Sequence, residues 1–341
     1  MRKTRVAING FGRIGRAFLR LSWNHPELEI VAINDLGNED NLAYLLKYDS
    51  VYGQAPFDIK NREGALTIAG KDIVFVQEKD PTALPWGELG IDVVVESTGL
   101  FTSFDKAKVH LDAGAKRVVI TAPAKGDAVP GIESATVLMG INDEKLKTCK
   151  ITSNASCTTN ASSPVIQIIH ETLGVEKAIL STTHAYTASQ RIVDSPNEKD
   201  FREGRAGAAN IIPSSTGAAI AVAKAIPDLE GKFDGISLRV PVPVGSIADI
   251  TMLTKKSTSK GEVNDILKKA SLLARWEGVF TVAEEPLVSS DIVGNTHAAI
   301  AQLDMTRVVD GNLIKVLSWY DNEMGYTNTL VKHVVKIGSH I

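Results

Sequence analysis

Val6-Ala7-Ile8-Asn9-Gly10-Phe11-Gly12-Arg13-Ile14-Gly15 decides the fold of this chain. A short apolar run, a GxGxxG turn and then Ala17-Phe18-Leu19-Arg20-Leu21, with apolar residues at helical spacing, predict a strand, a glycine turn and a helix in that order. The three glycines have separate tasks in such a unit: a tight turn, close approach of backbone to a pyrophosphate, and tight packing of helix on strand, with the helix N-terminus facing the phosphates. A bare GxGxxG arises by chance; the flanking strand and helix give this one its context. A second strand, Glu29-Ile30-Val31-Ala32-Ile33-Asn34, ends at Asp35, twenty positions beyond Gly15. A carboxylate there hydrogen-bonds an adenosine ribose and repels a 2′-phosphate, which favours NAD over NADP. The plainer reading of Asp35 is a loop-capping aspartate.

The alternation continues outward with Asp92-Val93-Val94-Val95-Glu96, a helical stretch around 103–113, and Arg117-Val118-Val119-Ile120-Thr121. Apolar strands separated by helices predict a parallel sheet covered on both faces. Ligands bind beyond the carboxyl ends of such strands, which puts Ser97-Thr98-Gly99 and Thr121-Ala122-Pro123 on the cofactor side.

Ser153-Asn154-Ala155-Ser156-Cys157-Thr158-Thr159-Asn160 sets one cysteine among capping side chains, just before the apolar helical run Val165-Ile166-Gln167-Ile168-Ile169. A helix N-terminus or a nearby imidazole stabilises a thiolate, so a reactive cysteine is built in such a place, although a lone cysteine is more often inert core. Further on the pattern becomes β-rich, with Ala178-Ile179-Leu180-Ser181-Thr182-Thr183 before His184 and long stretches at 235–242 and 248–253. A mixed or antiparallel sheet with helices on one face follows. His184, at a strand end among hydroxyls, is a candidate general base for Cys157, one of seven histidines that spacing alone does not single out. Ser215-Thr216-Gly217 before an alanine-rich helix suits a phosphate, and Arg239 at a strand end adds positive charge, though a strand-end arginine is ordinarily just solvated.

Composition bounds these readings. A chain of 341 residues has room for about two domains, and a net charge of -3 argues against a broad nucleic-acid or acidic-lipid footprint. Two cysteines, Cys149 and Cys157, are too few for a disulfide framework and have no metal-ligand spacing, so no metal is expected and a reducing cytoplasm is the simplest setting. No window has the roughly 20 apolar residues of a membrane span, and the start, Met1-Arg2-Lys3-Thr4-Arg5, shows no signal core.

Across nearly its whole length the chain resembles the phosphorylating glyceraldehyde-3-phosphate dehydrogenase family. The resemblance rests on Asn9-Gly10-Phe11-Gly12-Arg13-Ile14-Gly15-Arg16, Leu45-Leu46-Lys47-Tyr48-Asp49-Ser50, the Cys157 octapeptide and 211–219. It extends through Glu285-Pro286-Leu287-Val288-Ser289-Ser290-Asp291 and Trp319-Tyr320-Asp321-Asn322-Glu323. It implies a Rossmann-type doubly wound parallel sheet plus an α+β catalytic domain with a mixed sheet. The expected divisions are an NAD-binding domain over 1–153, a catalytic domain over 154–320, and a C-terminal segment, 321–341, whose helix at 326–337 returns to the first domain.

The resemblance further implies Cys157 as nucleophile, His184 as its activating base, and cofactor contacts from Gly10, Gly12, Arg13, Ile14, Gly15, Asp35, Thr121 and Asn322. Lys79 stands where many members have arginine. Thr187 and Arg239 would hold the phosphate of glyceraldehyde 3-phosphate, and Ser156, Thr158, Thr216 and Gly217 the attacking inorganic phosphate. A cytoplasmic homotetramer is implied, with the loop at 194–205 near a neighbouring subunit's cofactor. Ala161, Met324 and Val244-Gly245 depart from the usual pattern. The nearest rival, erythrose-4-phosphate dehydrogenase, usually lacks the threonine found at Thr187 and the run at Ser215-Thr216-Gly217. A redox-sensing protein on the same fold is the non-enzymatic alternative.

Overall fold

The computed structural model describes residues 2–62, 64–198 and 200–341. Met1, Glu63 and Lys199, the last within the loop expected near a neighbouring subunit, lie outside the described residues. The chain divides into two compact units, one made of Met1–Val137, Asn142–Ala155 and Leu330–Ile341, the other of Leu138–Ile141 and Ser156–Thr329.

The first unit is built on a nine-stranded sheet. From one edge the order is Ser134–Thr136, Ile151–Ser153, Arg117–Ile120, Val93–Glu96, Thr4–Asn9, Leu28–Asn34, Lys71–Val76, Ala65–Ile68 and Ile59–Arg62. The first seven are parallel and the last two antiparallel. Thr4–Asn9 is central, with the next strand on one side and Val93–Glu96 on the other, so the chain reverses its winding direction there. That crevice is where a doubly wound sheet takes its ligand. Helix Arg13–Ser22 buries Ala17, Phe18 and Leu19. In place of one helix around 103–113 there are two short ones, Phe104–Ala107 and Val109–Asp112, separated at Lys108.

The second unit carries a seven-stranded mixed sheet ordered Ile212–Ser215, Phe233–Val240, Val175–Ala185, Ser246–Thr254, Leu313–Tyr320, Ala299–Val309 and Phe280–Ala283. Its alternation is clearest in Ser246–Thr254, where every second residue is buried. Helix Cys157–Leu173 lies on the sheet with Val165, Ile166, Ile168 and Ile169 buried. The last helix, Met324–Gly338, starts two residues earlier than its apolar pattern predicts, because Asp321 Oδ1 accepts the N–H groups of Glu323 and Met324 at 2.8 Å each.

Candidate active site

In the first unit the glycine turn has the geometry its spacing predicts. Gly10 has φ +95°, and a Cβ on it would lie 2.6 Å from the backbone nitrogen of Thr98. A Cβ on Gly15 would lie 2.2 Å from the Gly10 carbonyl oxygen. Around Gly12 a Cβ would meet nothing within 4 Å. Gly12 is also the N-cap of helix Arg13–Ser22, and no side chain caps that end. An uncapped helix N-terminus opening onto empty space is a place for an anionic group.

Asp35 ties the turn to the second strand: its Oδ2 accepts from Phe11 N at 2.6 Å and its Oδ1 from Gly37 N at 2.8 Å. The Arg13 guanidinium pairs with Asp49 at 2.6 Å and lies over the Tyr52 ring. What Arg13 and Ile14 present at the helix start is therefore backbone N–H. Thr121 directly follows the carboxyl end of Arg117–Ile120, and Lys79 is exposed three residues after Lys71–Val76. Beneath the turn lies a buried polar network that no sequence pattern announces. Glu96 accepts from Asn9 Nδ2 at 2.6 Å, His110 Nε2 at 2.9 Å and Thr98 N at 2.8 Å, while Trp86 Nε1 donates to His110 Nδ1 at 3.2 Å.

In the second unit Cys157 is the first residue of its helix, with Ser156 as N-cap accepting from Thr159 N at 3.1 Å. The residue before that cap, Ala155, has φ +55°, an uncommon conformation for a side chain with a Cβ. Cys157 Sγ lies 3.3 Å from His184 Nε2. His184 Nδ1 lies 2.6 Å from the Ala185 carbonyl, which only accepts, and within reach of Arg239, which only donates. The carbonyl calls for a proton on Nδ1 and the guanidinium for a lone pair, so the ring's tautomer follows whichever of the two it serves. Parallel pairing of Val175–Ala185 with Phe233–Val240 sets His184 opposite Arg239, whose Nη1 is 2.5 Å from His184 Nδ1. Arg239 Nε is buried and without a hydrogen-bond partner.

Burial pushes the Cys157 thiol up, with Arg239 and the Thr158 N–H acting against it. Burial, and then the Arg239 charge, push His184 down to about 3. Both directions favour a thiol beside a neutral imidazole.

Tyr320, to which the sequence assigns no role, packs edge-on to His184 with ring centroids 5.8 Å apart. Its hydroxyl bridges Thr158 Oγ1 at 2.9 Å and Thr182 Oγ1 at 2.8 Å. Thr158 therefore offers an anion its backbone N–H, its side chain facing inward. Thr187 is exposed beside Ser189 and Gln190, while Thr216 Oγ1 accepts from Ala218 N at 3.2 Å. A Cβ on Gly217, the N-cap of Ala218–Ala225, would meet nothing within 4 Å. Asn322 follows Tyr320 on the turn held by Asp321, and its Oδ1 accepts from Gly245 N at 3.2 Å and Ser246 Oγ at 3.0 Å.

Residues 4–104 match the family model for the NAD binding domain of glyceraldehyde 3-phosphate dehydrogenase, and residues 156–322 match that for its C-terminal domain. The chain belongs to the glyceraldehyde-3-phosphate dehydrogenase family. It is 46% identical over 340 residues to a glyceraldehyde-3-phosphate dehydrogenase of Borreliella burgdorferi, covering 98% of this chain and 99% of that one. It is also 45% identical to the Geobacillus stearothermophilus protein of that name over 98% of both chains. With glyceraldehyde-3-phosphate dehydrogenase 1 of Trichormus variabilis the identity is 47%, over 97% of this chain and 96% of the relative. The Rossmann-type sheet is thus the family's NAD-binding domain.

Among the described residues no group of three or more His, Cys, Asp or Glu is arranged to hold a metal, and no helix is long and apolar enough to cross a membrane.

Proposed function

We propose that the protein oxidises D-glyceraldehyde 3-phosphate with NAD and inorganic phosphate to 1,3-bisphosphoglycerate, reversibly, through a thioester on Cys157. The 3.3 Å approach of Cys157 Sγ to His184 Nε2 at a helix start, in a chain of this family, carries the reading. His184 takes the thiol proton as sulfur attacks the aldehyde carbon, and a C–S bond forms to give a hemithioacetal. The Cys157 N–H and the His184 ring stabilise the oxygen as charge develops on it, and the imidazolium then returns its proton to that oxygen, giving the hydroxyl of the hemithioacetal and a neutral ring. Bound NAD supplies the hydride acceptor. As hydride leaves, His184 accepts the hydroxyl proton and a thioester remains on Cys157. Attack by a phosphate oxygen breaks the C–S bond, releases the acyl phosphate and returns the sulfur to its protonated state.

The buried, unpartnered Nε of Arg239 supports, with Thr187, a site for the substrate's phosphate. The N–H groups at the starts of the helices beginning at Cys157 and Ala218, with Ser156, Thr158, Thr216 and Gly217, support a second anion site for the attacking phosphate. Gly10, Gly12, Arg13, Ile14 and Gly15 would hold the pyrophosphate of NAD and Asp35 its ribose; Lys79, Thr121 and Asn322 complete the cofactor contacts.

We also infer a cytoplasmic homotetramer with no nucleic acid as primary partner. Support for self-association comes from a groove of about 1090 Å³ whose lining includes the exposed apolar Ile179, Ile220 and Leu313, and from exposed Ile192, Val193 and Phe201.

The test follows NADH formation with glyceraldehyde 3-phosphate, with and without phosphate, beside erythrose 4-phosphate and NADP. Phosphate-dependent reduction of NAD with the three-carbon aldehyde is the expected result. Preference for erythrose 4-phosphate, or a rate indifferent to phosphate, would reject the reading. Light scattering on the eluting protein should give four times the chain mass.

A further inference from the structure

Ser246 has no place in the chemistry just described, yet its hydroxyl joins two of the groups on which that chemistry depends. It is fully buried at the start of strand Ser246–Thr254, with Tyr320 as its partner across the ladder. Its Oγ accepts the Ala185 N–H at 3.0 Å, so its single proton is directed to Asn322 Oδ1, also at 3.0 Å. Ala185 is the residue whose carbonyl lies 2.6 Å from His184 Nδ1. One hydroxyl therefore anchors the peptide that faces His184 Nδ1 and the side-chain amide of Asn322.

The direction of the Asn322 amide is fixed independently of how its oxygen and nitrogen were assigned. The neighbouring Gly245 N–H is only a donor and lies 3.2 Å from the atom in question, so that atom is oxygen. Two donors on Oδ1 leave the Nδ2 hydrogens as what Asn322 offers a ligand. Gly245 reaches this position at φ +95°, and a Cβ on it would lie 2.4 Å from the Ser289 carbonyl oxygen, so glycine alone fits.

We propose that Ser246 is a positioning residue that presets two partners of the reaction at once: the Ala185 peptide against which the His184 ring rests, and with it the placement of that ring toward Cys157, and the Asn322 amide, as a donor toward NAD. The second half rests on the reading of Asn322 as a cofactor contact. Removing the hydroxyl orphans the buried Ala185 N–H and leaves Asn322 Oδ1 with the longer Gly245 contact alone, so the peptide and the amide are both freed to turn or shift.

The experiment compares Ser246→Ala, Asn322→Ala and the double variant with the parent protein. NAD dissociation constants come from calorimetry, and the rate of Cys157 alkylation by iodoacetamide is measured without NAD. Ser246→Ala is expected to weaken NAD about tenfold, the equivalent of one unmade buried hydrogen bond, and to slow alkylation severalfold, with a melting temperature that still shows a folded protein. The double variant is expected to bind NAD no more weakly than Asn322→Ala, since both changes remove the same interaction.

Parental alkylation in Ser246→Ala, or losses of NAD affinity that simply add, overturns the proposal. So does weak binding in Asn322→Ala alongside parental binding in Ser246→Ala. Parental NAD binding in Asn322→Ala instead overturns the reading of Asn322 beneath it. Ser246→Thr and Ser246→Val differ in the hydroxyl and little in volume, and they decide the matter where the alanine variant is poorly folded. Better NAD binding and faster alkylation in the threonine variant support the role; equal defects overturn it.

Discussion

Arg239 lies 2.5 Å from His184 Nδ1, and its charge acts alongside burial on the pair, with it at His184 and against it at Cys157. Burial first, and then this cation, hold the imidazole down at about 3. On the proposed reading, in which Arg239 holds the substrate's phosphate, that anion would offset the charge and ease formation of the imidazolium as sulfur attacks. Cys157→Ser is expected to abolish NADH formation while leaving NAD binding, measured by calorimetry, intact. His184→Asn removes the proton acceptor and should lower kcat by ~10²–10⁴-fold in steady-state assays, the range of general acid–base contributions. Tyr320→Phe keeps the ring on His184 and removes the hydroxyl between Thr158 and Thr182. Chemical denaturation should show a loss of about 1–3 kcal/mol, since two buried hydroxyls lose a common partner.

The element that matters most to cofactor binding is the turn from strand Thr4–Asn9 into helix Arg13–Ser22. Gly15 lies where the helix crosses the Gly10 carbonyl at a distance no Cβ tolerates. Gly15→Ala should therefore displace the helix start, destabilise the protein by about 1–3 kcal/mol in thermal unfolding, the cost of an overpacked contact, and weaken NAD in a titration. This device was legible in the sequence, because strand periodicity, glycine spacing and helical periodicity agree within a few residues. The division of 103–113 into two helices was not, since Phe104 and Ala107 on one side of Lys108 and Val109 and His110 on the other still follow helical spacing. Nor was the pairing that sets His184 opposite Arg239. Residues 55 apart in the chain, on two parallel strands, find their register through sheet packing, and local sequence does not record it.

For the whole molecule, each unit buries a histidine that stays neutral. In the first unit His333, fully buried on the last helix, lies 2.8 Å from Thr152 Oγ1 and 3.1 Å from Asn154 Oδ1. Burial lowers it to about 3, with Asp143 acting in the opposite sense. A folded value below the unfolded one, near 6.5, means that the unfolded chain takes up a proton that the folded one refuses. The stabilisation is complete above pH 6.5 and falls by about 1.4 kcal/mol per pH unit as acid is added, down to the folded value. Denaturant midpoints at pH 7.5 and pH 5.5 should record that loss, roughly 1.4 kcal/mol for this histidine, and His333→Asn should remove it. A parental pH dependence in His333→Asn would mean that His333 is protonated in the folded protein.

The sequence by itself determined the class of fold, the glycine turn, the helix start at Cys157 and the chemistry expected of a cysteine there, because each is a local pattern of periodicity and capping. It also carried the family, since ordered motifs from Asn9 to Glu323 agree along the chain. Tertiary structure decided which of seven histidines meets the thiol, that Tyr320 and Ser246 support the site, and that Thr158 turns its hydroxyl inward. Those are contacts between residues far apart in sequence. They depend on strand register and on the pairing of buried polar groups, which only a closed core enforces.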